Sequence, residues 1–135
     1  MKIISYVLYG KHKLYNNGAY LNAIMAKEYY PDFEVWIYGG FDVPEEYISQ
    51  YTSFPFVKYI TINTNQSYLK CYRYIPIDNK NVSVCFSRDA DSRVTKRDQW
   101  CINEFLKNIK IVTKTFISVG ESWYVVIIRS SEVHA

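Results

Sequence analysis

The sequence predicts an α/β fold with a mostly parallel sheet flanked by helices, and three observations carry that expectation. Short runs rich in Ile, Val and Tyr alternate with segments of helical period, the order that builds parallel strands joined by helical crossovers. The fourth such run, VSVCFS at residues 82–87, is apolar on both faces, as a central strand covered by helices on both sides requires. Pro31, Pro44, Pro55 and Pro76 each fall at the start or end of a run.

Residues 2–9 read as the first strand, closed by Gly10, which tolerates a sharp turn and close approach of a ligand. From about residue 17 to residue 30 the pattern is helical, with Leu21, Ile24, Met25 and Glu28 at helical spacing and alanines at 19, 23 and 26, until Pro31 ends it. EVWIYGG at 34–40 is the second strand. Pro44 suits the first turn of a helix reaching about residue 51, and PFVKYITI from residue 55 supplies the third strand. Residues 63–67 form a polar loop and 68–75 a short helix stopped by Pro76. After the fourth strand, Thr95 followed three residues later by Asp98 resembles a capping box. The helix it opens puts Ile102, Phe105, Leu106 and Ile109 on one stripe. Beyond residue 110, IVTKTFISV and WYVVIIR read as two strands around Gly120, a hairpin on one edge of the sheet.

A chain of 135 residues, about half of them apolar, can bury one core, so 1–135 is expected to be a single domain. The net charge of +3 comes from mixed signs without a block of like charge, which argues against a nucleic-acid arm or a polybasic membrane anchor. Cys71, Cys85 and Cys101 form no Cys-x-x-Cys pair and no zinc-like Cys/His spacing, and an odd count suits a reducing compartment. No apolar stretch approaches the roughly 20 residues of a membrane span. The expectation is a soluble, intracellular, cytoplasmic protein without a membrane span.

The chemistry concentrates in FSRDADSR, residues 86–93, where charge appears at the point a buried strand stops. In extended backbone, side chains at i and i+2 project to the same side, so Asp89 and Asp91 converge if strand geometry persists through Ala90. Two carboxylates that close repel, and a divalent cation removes the repulsion. Oxygen donors favour Mg²⁺ or Mn²⁺, which leave positions open to water and phosphate. In open parallel α/β sheets ligands bind beyond the carboxyl ends of strands, where this turn lies. The residues thus suggest a metal-bridged phosphate site with Arg88 and Arg93 as anion partners. A solvated, salt-bridged turn would use the same four residues; the place after a buried strand and before a capped helix favours the metal. An EF-hand loop starting at Asp89 fails, since Arg93, Val94 and Trp100 stand where an oxygen ligand, Gly and Glu are needed. A haloacid-dehalogenase-type motif would want Thr or Val at Arg93 and would normally follow the first strand.

Three blocks resemble the glycosyltransferases of the A-type, Rossmann-like fold, particularly the small ones of large DNA viruses and of bacterial surface-polysaccharide loci. YGKHKLYNNGAYLNAIMAKEYYPDFEVWIY is similar to the family's opening strand, helix and second strand. CYRYIPID resembles its Trp-Arg-Phe segment, with Arg73 at the arginine. FSRDADSR followed by RDQWCINEFL resembles its Arg-Asp-x-Asp-Ser-Arg block and the next helix. Together the blocks cover most of residues 1–107.

The resemblance implies a nucleotide-sugar-binding domain in which Asp89 and Asp91 hold Mn²⁺ or Mg²⁺ against the diphosphate of a UDP- or GDP-sugar. Tyr9 and Gly10 then lie near base and ribose, and Arg73 and Arg88 are polar supports. A hexose would pass to a glycan or protein acceptor. Residues 107–135 are atypical for the family, as if the fold were truncated after the metal motif. VVIIRSSEVH keeps Ile127, Ile128, Arg129 and His134 but has Ser130 and Ser131 where Asp and His are expected. His134 is a candidate further metal ligand, and His12, among lysines, is read as a solvated surface residue. A viral source would place the protein in the host cytoplasm. An alternative is a catalytically inactive remnant that binds nucleotide or another subunit, with an aromatic surface suited to a homodimer.

Overall fold

A computed structural model of the chain describes residues 1–63, 72, 75, 76, 79–91 and 93–108 and the strand segments 115–119 and 122–128. Among the described residues six strands, β1 (Lys2–Leu8), β2 (Phe33–Gly40), β3 (Val57–Ile62), β4 (Val84–Ser87), β5 (Thr115–Val119) and β6 (Ser122–Ile128), form one sheet in the order β3-β2-β1-β4-β6-β5. The helices among them are α1 (Lys13–Tyr29), α2 (Glu45–Thr52) and α3 (Lys96–Asn108). β1 to β4 pair in parallel, while β6 runs antiparallel to both β4 and β5. The result is an α/β, Rossmann-like sheet whose parallel part turns into the predicted edge hairpin. The short helix expected at 68–75, with Arg73, lies mostly outside the described residues, as do Cys71, Arg129 and His134.

Strand parity divides the core in two. Ile4, Tyr6 and Leu8 of β1, Val35 and Ile37 of β2 and Val84 and Phe86 of β4 point to the face that carries Ala19 and Ala26 of α1, Tyr51 of α2 and Ile102 of α3. Ile3, Trp36, Tyr38 and Cys85 point the other way, where Val82 and Tyr72 pack on them among the described residues. Helices on both sides were expected; α1, α2 and α3 cover one face, and most of the helix expected at 68–75, whose Tyr72 packs on the other, lies outside the described residues.

The buried side of α1 also differs from expectation. Leu21 and Ile24, which give the helix its apolar spacing, are each 40% exposed, and the buried residues are Asn16, Gly18, Ala19, Asn22, Ala23 and Ala26. Small side chains let the helix lie close to the sheet and to the segment following β4. The helix starts at Lys13, four residues before the expected 17, because His12 caps it: Leu14 N–H donates to His12 Nδ1 at 3.0 Å. Pro44 is the residue before α2 and not its first, with Glu45 and Glu46 in the first turn where they suit the helix dipole. Thr95 precedes α3 and its carbonyl accepts from Gln99 N–H at 3.1 Å, as a cap residue's does.

Candidate functional site

β4 stops short. Its last residue, Ser87, is opposite Ser5, so Tyr6, Val7 and Leu8 of β1 run on with β2 on one side only. The strand order also reverses here: β2 and β3 lie on one side of β1 and β4 on the other, the switch point at which open α/β sheets bind ligands. Arg88 N–H donates to Ser5 C=O at 3.0 Å, and beyond that bond the two segments part. Between them lies a cleft of about 510 Å³, lined by Val7, Leu8, Tyr9 and Gly10, by His12 and Tyr15, and by Arg88, Asp89, Ala90 and Asp91. That size falls in the range of small-molecule and cofactor sites.

Burial alternates along the acidic turn: Arg88 and Ala90 are buried, Asp89 and Asp91 exposed. Both carboxylates therefore open into the same cleft, which the i, i+2 argument requires. Arg88 goes inward instead. It is 2% exposed, and its guanidinium donates to Arg93 C=O at 3.1 Å. Arg93 folds back too, one guanidinium nitrogen reaching Ala90 C=O at 3.0 Å and Gly18 C=O at 3.5 Å. The two arginines brace the turn from behind.

α1 supplies the rest of the bracing. Asn22, buried, accepts from Val94 N–H at 3.0 Å through Oδ1 and donates from Nδ2 to Ala90 C=O at 3.4 Å. Gly18 faces the same carbonyl so closely that any Cβ there would overlap it. On the opposite wall, Asn16 Nδ2 donates to Gly10 C=O at 3.2 Å and to His12 C=O at 3.0 Å. The Tyr51 hydroxyl donates to Asn16 C=O at 2.6 Å. Burial, with Tyr59 and Tyr47 nearby, drives that phenol's pKa well above its ordinary value, so it stays a donor. Gly10 has φ +80°, the left-handed region that favours glycine, and this lets the chain leave β1 sharply for the cap of α1.

The structure thus brings Tyr9, Gly10, Arg88, Asp89 and Asp91 to one place. Arg73 and His134 lie outside the described residues, and among the described residues no group of three His, Cys, Asp or Glu could enclose a metal ion. Sequence reasoning missed His12 and Tyr15 as cleft residues, and Asn16, Gly18 and Asn22 as its braces. A signal was present in NNGAYLN, since two asparagines and a glycine are poor choices for a helix interior unless something else needs them. No helix among the described residues is long and apolar enough to cross a membrane.

No family model and no curated protein sequence matches the chain. Among solved structures it is similar to TarS of S. aureus, residues 1–349, a glycosyltransferase. The TM-score is 0.57 at 13% identity, over 79% of this chain and 32% of that one. The chain therefore spans about a third of the length of that structure, and the likeness is one of fold: an α/β, Rossmann-like sheet.

Proposed function

We propose that the chain binds a UDP- or GDP-sugar through Mn²⁺ or Mg²⁺ held by Asp89 and Asp91, and serves transfer of a hexose to a glycan or protein acceptor. The observation that carries this reading is the opening of both carboxylates into one cleft at the β1–β4 switch point, with Ala90 turned inward between them. Two carboxylates suit a hard cation that takes its remaining ligands from water and phosphate oxygens, and do not suit a zinc site closed by protein. When bound, such a cation neutralises charge developing on the departing diphosphate.

The chain's own residues divide the remaining work. Tyr9 and Gly10, at the end of β1, would lie along base and ribose. Lys11, His12 and Lys13 lead into the positive end of α1, whose first turn holds no acid, so this wall complements the negative one across the cleft. Arg88 and Arg93 act from behind, keeping the turn's backbone in place. Arg73 as a polar support and His134 as a further metal ligand remain part of the proposal on the resemblance alone.

The test is incubation with Mn²⁺ and a panel of UDP- and GDP-hexoses, measuring nucleotide released. Hydrolysis or transfer is expected, abolished by a chelator and lowered at least about 100-fold in Asp89→Ala and in Asp91→Ala, since losing one member of a charge-stabilising pair costs several kcal/mol in the transition state. No turnover with any donor, together with no Mn²⁺-dependent nucleotide binding by calorimetry, removes the reading.

A further inference from the structure

Asn16 and Asn22 of α1 are both 0% exposed, although asparagine is a weak helix former that usually faces water. Each reaches backbone outside its own helix. Asn16 holds the loop after β1 at Gly10 and His12, the wall without carboxylates. Asn22 holds the other wall at two points, Ala90 C=O and Val94 N–H. Ala90 stands between the carboxylates, so the grip on its carbonyl acts within one residue of each.

We propose that Asn22 is a positioning residue for the cleft: by holding the backbone at Ala90 and Val94, it fixes the spacing and direction in which Asp89 and Asp91 meet a divalent cation. This rests on the reading of the cleft as a cation–diphosphate site. The task needs an amide in particular. One atom must accept from Val94 N–H while its neighbour donates to Ala90 C=O. A carboxylate keeps the first bond, loses the second and sets a buried negative charge behind two others; alanine keeps neither. With Asn22 gone, Arg93 still holds Ala90 C=O, but Val94 N–H loses the Asn22 acceptor. The turn then loosens, the like charges relax apart, and the cation must order them again, which lowers its affinity.

The experiment follows Mn²⁺ binding, in the presence of UDP or GDP, by the paramagnetic resonance signal of the free aquo ion. Wild type, Asn22→Ala, Asn22→Asp and Phe33→Leu are compared, each with its thermal unfolding curve. Phe33 is a buried residue at the start of β2, the opposite end of the sheet from the cleft, and reports what a general loss of stability does. Asn22→Ala is expected to weaken Mn²⁺ binding at least tenfold and Asn22→Asp at least threefold. Phe33→Leu should lower the unfolding temperature and leave the affinity within twofold. Should Asn22→Ala not fold, Asn22→Asp decides by its own threefold threshold. Wild-type affinity in a folded Asn22 variant overturns the inference and leaves the reading of the cleft standing, as does an equal loss in Phe33→Leu. A wild type that binds no Mn²⁺ overturns both.

Discussion

Replacing Gly18 with alanine sets two effects of known size against each other. In the middle of a helix the change gains about 1 kcal/mol of propensity. Gly18 is buried, however, and the new methyl would overlap the carbonyl oxygen of Ala90 and come within 3.0 Å of an Arg93 guanidinium nitrogen. That carbonyl cannot retreat freely, because Arg93 holds it at 3.0 Å and Asn22 at 3.4 Å. Forcing a methyl into a packed contact costs about 1–3 kcal/mol, and stretching or losing the two hydrogen bonds adds about 1 kcal/mol each. Against the gain, the net loss is about 2–4 kcal/mol, which for a domain of this size lowers the unfolding midpoint by about 6–16 °C. Thermal unfolding followed by circular dichroism measures it, with Asn17→Ala as comparator. Asn17 is exposed on the same helix, and alanine there should gain a few tenths of a kcal/mol, roughly, from propensity alone. A Gly18→Ala protein that melts at or above the wild-type temperature would refute the close approach of α1 to the acidic turn.

Tyr51→Phe removes the hydroxyl that donates to Asn16 C=O at 2.6 Å inside the core, and should cost about 1–2 kcal/mol. Faster amide exchange at residues 10–14 would show the loop after β1 loosening with it, and unchanged exchange there would count against the link. Burial pushes the Cys85 thiol and the Tyr38 and Tyr59 phenols up to about 12, with Cys85 adding to the effect at Tyr38, Glu45 and Asp42 at Tyr59; Tyr51 is raised further still. Folding therefore favours the protonated forms. Their contribution is complete below the ordinary values of 9–10 and is lost as pH climbs from there toward 12, so denaturant unfolding should show stability falling across that alkaline window. Stability that stays level through it would contradict the assignment. Cys85 should also resist alkylation in the folded protein at mildly alkaline pH and react once it unfolds, as peptide mapping can show.

The strands were legible because their signal is local. Runs of β-branched and aromatic residues bounded by Gly or Pro have few other uses, and β1, β2, β3 and β4 fall within about two residues of their expected bounds. The acidic turn was legible for a similar reason, since two aspartates at i, i+2 after a doubly apolar strand make a local pattern. What the sequence hid depends on the approach of distant segments. Apolar spacing in α1 points to Leu21 and Ile24, yet the helix buries Asn16, Gly18, Ala19, Asn22, Ala23 and Ala26, with Gly18 and Asn22 against the turn after β4. The helix start was missed because its cap is a histidine, outside the usual Ser, Thr, Asp and Asn signal. The guanidinium of Arg88 looked free to meet an anion, and only the tertiary structure shows it turned inward to Arg93.

The edge hairpin gives the rim of the cleft an unusual neighbour. Because β6 is antiparallel to β4, with Val125 opposite Ser87, its first residues, Ser122, Trp123 and Tyr124, lie beyond the last rung of β4, on the side where the acidic turn departs. A further parallel strand would have arrived there only at its finish, after crossing the whole sheet. Here β5 climbs to that edge and β6 descends from it, with Val119 paired to Ser122 at that end. The border beside the acidic turn is thus set by the beginning of one strand and not by the end of another, while the lining of the cleft comes from the segments around β1 and β4.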